Sequence, residues 1–246
     1  MIINAHATVT TKPLGDRIIH LLFCEMLSQS ENEDVNLICG HFKDFDQLKN
    51  LLGSDRVFLN KKNVIPKKTV NIKYPRSPTG SCSDNYDLSI HDVWGSVKEL
   101  PKCKNIKNFN QELPKKYITV QWDARQKYRF ILPEKIKKIE NYYLQSGFEI
   151  IQIGANGSGR ASTDLDYIAY LISNADLHVG ASSGMAYFSQ MILPCEKIHI
   201  YSGEKTAQEK YPRGIFGSKK WKLGDVDEMA QLIIDKGAKL NYYKVN

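Results

Sequence analysis

Phe148-Glu-Ile-Ile-Gln-Ile-Gly154 is a short apolar run that ends on glycine, followed by the small-residue loop Ala155 to Ser162. Asp164 to Asn174 then carries Leu165, Ile168, Ala169 and Ile172 at helical spacing. Asp176-Leu-His-Val-Gly180 is a second apolar run, closed by Ala181-Ser-Ser-Gly184. Met185 to Leu193 is helical again, Pro194 stops it, and Lys197-Ile-His-Ile-Tyr201 is a third strand. Strands that alternate with helices predict a parallel sheet with crossover connections. Open parallel sheets take ligands beyond the carboxyl ends of their strands. The Ser182-Ser183-Gly184 turn falls at such an end and opens a helix, where free N–H groups favour an anion.

The same alternation is found at the start of the chain. Met1 to Ala5 is a strand candidate, Thr8 to Pro13 a polar turn, and Arg17 to Ser28 a helix apolar on most sides. Val35 to Cys39, Asp44 to Leu52 and Arg56 to Leu59 read strand, helix, strand. The signal weakens from Asn60 to Lys116, where Lys, Asn, Pro and Ser dominate. Val64-Ile65, Val70 to Ile72 and Leu88 to Trp94 are its apolar anchors, and loops, short strands and one short helix near Asp92 to Lys98 are expected. Pro101 to Pro114 reads as a linker. Tyr117 to Gln121 opens a second series, through a helix from Pro133 to Ser146 capped by Gly147, and Asp225 to Lys236 forms a last helix.

Composition narrows the functional classes. The chain has 246 residues, 42% of them hydrophobic, so one large domain or two small ones with a proper core are expected. The net charge of +7 suits polyanionic partners: a nucleotide diphosphate, DNA or an anionic membrane surface. A Lys-rich solvated surface explains the charge equally well. Five cysteines without a C-x-x-C pair read as reduced thiols in a cytoplasmic protein. No apolar stretch approaches the ~18 residues of a membrane span, and no signal peptide is evident.

Three D-x-D triplets, Asp44-Phe-Asp46, Asp164-Leu-Asp166 and Asp225-Val-Asp227, each open an expected helix. Asp44 with Gln47, Thr163 with Asp166 and Asp225 with Glu228 have capping-box spacing, so no metal is expected there. The run Gly154-Ala-Asn-Gly157-Ser-Gly159 has the wrong spacing for a dinucleotide fingerprint, although Gly154 could pass close to a nucleotide. Arg125, Lys127 and Arg129 lie just past the Tyr117 to Gln121 strand, facing the same crevice as Ser182 to Gly184. Cations there suit an anionic ligand, and a solvated basic turn is the other reading. His6 follows the first strand and is a candidate for the cleft. His20 and His178 sit in apolar elements and read as core histidines. No nucleophile elbow, Walker loop or Cys/His pair appears.

Two segments resemble the heptosyltransferase-type glycosyltransferases (glycosyltransferase family 9). Asp164 to Phe188 resembles their donor-site segment, with Ser182, Ser183 and Gly184 at the positions of an Asp-Thr-Gly turn and Tyr187 where a His is usual. Leu14-Gly15-Asp16-Arg-Ile-Ile-His20 resembles their Gly-Asp turn, in which the Asp acts as base. The resemblance implies an α/β fold of two Rossmann-like lobes facing a cleft, the GT-B arrangement. Residues 1–112 would be the acceptor-side lobe and 113–246 the nucleotide-sugar lobe. It implies sugar transfer from a nucleotide sugar, without metal or other cofactor, to a hydroxyl acceptor such as an anionic or lipopolysaccharide-like glycan. Asp16 would be the base, with Gly15 and His6 on the acceptor side. The donor would meet Arg125, Lys127, Arg129, Gly154, Ser182, Ser183, Gly184 and Tyr187. Such an enzyme would work in the cytoplasm or at the inner face of a membrane. Two alternatives stay open. A DNA-base glycosyltransferase would show salt-sensitive binding to duplex DNA. A non-catalytic nucleotide- or sugar-binding protein would fit the departures at Ser182 and Tyr187.

Overall fold

The computed structural model describes residues 2–7, 14–40, 43–73, 88–89, 101–124, 131–181, 183–202 and 241–244. The first half builds strand β1 (Ile2–Ala7), helix α1 (Leu14–Glu31), β2 (Asp34–Ile38), α2 (Lys43–Leu52), β3 (Val57–Leu59), β4 (Lys68–Lys73) and β5 (Leu88–Ser89). The second builds β6 (Tyr117–Gln121), α3 (Pro133–Gln145), β7 (Glu149–Gln152), α4 (Leu165–Ser173), β8 (Leu177–Ala181), α5 (Gly184–Gln190), β9 (Ile198–Ser202) and β10 (Asn241–Lys244). Among the described residues the strands form two five-stranded sheets, ordered β3-β2-β1-β4-β5 and β10-β9-β8-β6-β7. Every pairing is parallel. This is the two-sheet α/β fold that the alternation predicts.

Each sheet reverses direction once. The chain runs outward from β1 through β2 to β3, then returns to the other side of β1 as β4. In the second sheet it runs from β6 to β7, then crosses to the other side of β6 as β8. These reversals open a crevice between β1 and β4 and another between β6 and β8, the places where such sheets bind ligands.

The core explains why α1 is apolar on nearly all sides. Ile18, Leu21, Leu22, Phe23, Met26 and Leu27 are all buried. They belong to one continuous cluster that also takes in Ile168, Ile172, Ala186, Phe188 and Met191 from α4 and α5 of the second half. The halves therefore share a core where α1 packs on α5 and α2 on α4. A smaller cluster, with Ile118, Val120, Trp122, Ile139 and Tyr143, fills the other face of the second sheet under α3. Each fully buried aliphatic side chain contributes roughly 1.5–3 kcal/mol, so the shared cluster joins the halves firmly.

The linker segment, 101–114, is a strap fastened to both halves. Lys104 and Asn105 donate their N–H groups to Leu51 O at the end of α2, at 2.8 and 3.1 Å. On the other side Cys103 N–H reaches Met191 O at 2.8 Å, and Lys102 Nζ reaches Gln190 O at 2.5 Å. Lys107 pairs with Asp166 at 2.5 Å, and Phe109 packs edge-on against Tyr167 and Tyr170. The anchor Val70 to Ile72 lies in a six-residue strand, β4, beside β1. β10, pairing with β9, was not expected at all.

The D-x-D readings also change in detail. The cap of α4 is Asp164, not Thr163: its carboxylate accepts from the N–H groups of Asp166 and Tyr167. Arg160 donates to the same carboxylate at 2.8 and 3.0 Å and helps hold it below its usual pKa. Asp44 lies inside the first turn of α2 and pairs with Arg17. Asp225, Asp227 and the expected helices at 92–98 and 225–236 lie outside the described residues.

Candidate active site

Two glycines, one from each half of the chain, meet at the head of the shared core. Gly15 sits in the first turn of α1, which follows β1; Gly184 opens α5, which follows β8. A Cβ built on Gly184 would stand 2.7 Å from Gly15 N and 3.2 Å from Gly15 Cα. A Cβ on Gly15 would lie 3.3 Å from Gly184 Cα and 3.5 Å from the ring of Tyr187. The absence of a side chain at Gly184 lets the two backbones approach so closely. The starts of the helices that follow β1 and β8 therefore touch, so the carboxyl ends of these strands lead to one point.

This contact changes the reading of two residues. The bare face of Gly184 is turned to Gly15, so the glycine is required by the neighbouring helix rather than by a phosphate. Tyr187, at the position of the usual His, is buried with its ring edge against Gly15. Asp16 follows in the first turn of α1. α1 begins at Leu14, so the backbone of Asp16 is already helical. His6 is half-buried near the end of β1. Arg125, Lys127, Arg129 and Ser182 lie outside the described residues.

At the β6/β8 crevice Ser183 is the N-cap of α5. Its Oγ accepts from Met185 N–H at 3.2 Å and donates to Gln121 Oε1 at 2.6 Å. Gln121 Nε2 donates to the carbonyl of Asp123. Gly154, at φ +74°, turns the chain after β7 and would bring a Cβ within 3.1 Å of Gln121 Cγ. The positive φ alone favours glycine there. Gln121 and Asp123 were not singled out from the sequence. The available signal was an amide closing a strand, Tyr117 to Gln121, that is buried at every position, since a buried amide needs partners. Asp123 Oδ2 is buried without a hydrogen-bond partner, which leaves an acceptor for a hydroxyl at this end of the sheet.

Beneath this crevice Thr119 Oγ1 contacts His178 Nδ1 at 3.1 Å. Burial pushes the His178 pKa down to about 3, so the imidazole is neutral and belongs to the core, as its apolar setting suggested. Among the described residues, no cluster of three or more His, Cys, Asp or Glu could hold a metal ion. None of the described helices is long and apolar enough to cross a membrane.

No family model and no curated protein matches the chain by sequence. Solved structures do match by shape. The iron-containing dodecameric glycosyltransferase TibC from enterotoxigenic E. coli H10407 aligns with a TM-score of 0.60 at 11% identity, over 94% of this chain and 72% of its own. E. coli heptosyltransferase WaaC with ADP gives 0.55 at 10% identity, over 100% of this chain and 94% of its own. The glycosyl transferase family 9 protein from Veillonella parvula gives 0.51 at 11% identity, over 81% of this chain and 80% of its own. The chain has the heptosyltransferase fold. That fold extends over both sheets and the strap between them, as the two short resembling segments implied.

Proposed function

We propose that this protein is a glycosyltransferase that moves a sugar from a nucleotide-sugar donor to an acceptor hydroxyl. The observation that carries the reading is the meeting of Gly15 and Gly184. It brings the two heptosyltransferase-like segments to the same point, at the strand ends where open parallel sheets take ligands. The donor lies at the β6/β8 crevice and the acceptor on the β1 side. Residues 1–112 and 113–246 are the corresponding lobes. The solved relatives whose names include ADP or ADP-heptose make an adenine nucleotide the first donor to try.

In the proposed reaction Asp16 takes the proton of the acceptor hydroxyl, and the oxygen attacks the anomeric carbon of the sugar. The bond from that carbon to the diphosphate breaks, and the diphosphate leaves with the electron pair. Arg125, Lys127 and Arg129 offset the charge that develops on it. Asp123 Oδ2 accepts a hydroxyl of the donor. No metal takes part in this scheme, and the enzyme acts in the cytoplasm on an anionic glycan at a membrane face.

A thermal-shift series with ADP, UDP, GDP and ADP-heptose tests the reading. A ligand at 100 times its Kd adds about 2.7 kcal/mol of stability, so one nucleotide should raise Tm clearly. Nucleotide release on adding an acceptor glycan then reports turnover. Absence of any shift across the series would refute the assignment.

A further inference from the structure

Resting on that donor-site reading, we propose that Gln121 is the positioning residue of the crevice and acts on the nucleotide through Ser183. Gln121 is only 5% exposed and closes β6, next to Gly180 of β8 across the reversal of the second sheet. Its side chain reaches all three strand ends that frame the crevice. Oε1 accepts the Ser183 hydroxyl after β8, Nε2 donates to Asp123 O after β6, and Cγ lies under the bare face of Gly154 after β7.

The Ser183 hydroxyl has one proton, and it points to Gln121 at 2.6 Å. A lone pair takes the Met185 N–H at 3.2 Å. The hydroxyl therefore offers no proton to a phosphate oxygen, so Ser183 serves the ligand by holding the turn rather than by touching it. An apolar residue at position 121 would release that proton to swing into the crevice. It would also leave the carbonyl of Asp123 without its donor. The three loops would then lose their common reference, although the sheet beneath them would remain.

The test uses the intact chain and ADP as probe, titrated calorimetrically. Gln121→Met keeps the volume and removes the amide; it should weaken ADP binding about tenfold, the worth of one well-placed hydrogen bond. Ser183→Ala should cost a similar factor, and the double variant should bind no worse than the weaker single. Ser183→Thr, which keeps the hydroxyl, should restore binding to near the wild-type level. Hydrogen exchange at the Met185 amide should quicken in Gln121→Met, a local effect that a general loss of stability would not single out. Should Gln121→Met fail to fold, Gln121→Asn, too short to reach Ser183, carries the same expected loss. Wild-type affinity in Gln121→Met, or losses that multiply in the double variant, would overturn the proposal. Failure of the wild type itself to bind ADP would overturn the donor-site reading beneath it, and is seen before any variant is made.

Discussion

The glycine contact between α1 and α5 makes an asymmetric prediction about stability. Alanine at position 184 would place its Cβ 2.7 Å from the backbone nitrogen of Gly15 and 3.4 Å from Leu14 Cβ. Neither neighbour is a flexible side-chain tip, so the helix starts must part by roughly half an ångström or more against a close-packed core. Overpacking of this kind costs ~1–3 kcal/mol. Alanine's better helix propensity returns at most ~0.5–1 kcal/mol, so a net loss of about 1–2 kcal/mol is expected. Alanine at position 15 meets Gly184 Cα at 3.3 Å and the Tyr187 ring at 3.5 and 3.6 Å, contacts that need little adjustment. There the helix gain should cancel the crowding to within ~0.5 kcal/mol. In a chain of this size ~1 kcal/mol moves Tm by roughly 2–4 °C. Calorimetric melts should therefore put Gly184→Ala about 2–8 °C below wild type and Gly15→Ala within about 2 °C of it. A Gly184→Ala protein as stable as wild type, or a Gly15→Ala protein less stable than Gly184→Ala, would refute the packing argument.

Other perturbations should give results of known sign. Asp16→Asn should lower the transfer rate by ~10²–10⁴-fold, the usual worth of a general base, with Tm little changed; full activity would remove Asp16 from the mechanism. His178, with its pKa held near 3 against an ordinary 6.5, stays neutral while the unfolded chain takes up a proton. It costs stability as pH falls below 6.5, roughly 1 kcal/mol per pH unit. In urea melts from pH 7 to 4.5, the stability of wild type relative to His178→Gln should fall with that slope. Glu25, raised to about 6 by burial, pulls the opposite way in both proteins and drops out of the comparison. Gly180→Ala would drive a Cβ to 2.4 Å from Gln121 O on the neighbouring strand, so it should both destabilise the sheet and abolish ADP binding measured by calorimetry. EDTA should leave transfer unchanged; a loss restored by iron or manganese would replace the metal-free scheme.

Much of the architecture was legible because short apolar runs that end on Gly or Asn leave few choices other than parallel strands. The second half was clearest, since the Ile150, Leu177 and Ile198 runs are bounded by helix caps and by Pro194. β4 was harder to see: only Val70 and Ile72 of its six residues are apolar, and pairing with β1 made it a strand. Asn241 to Lys244 gave too short a signal without β9 beside it. The site was only partly legible. Gly15, Gly184 and Tyr187 stood out by resemblance, but nothing local says that Gly184 faces Gly15 instead of a ligand. Gln121 stayed hidden because its role depends on two loops, at Gly154 and Ser183, that are distant in the sequence.

The strap at 101–114 also bears on how the molecule comes apart. It binds the end of α2 on one side and the ends of α4 and α5 on the other, over a core to which both sheets contribute. Neither sheet can be stripped of its partner without baring that common apolar surface to water. Denaturation should then be a single all-or-none event, with a denaturant slope set by the surface of both sheets together. Expressed alone, either half should behave as an incomplete fragment, and the two halves should recover their structure only on mixing.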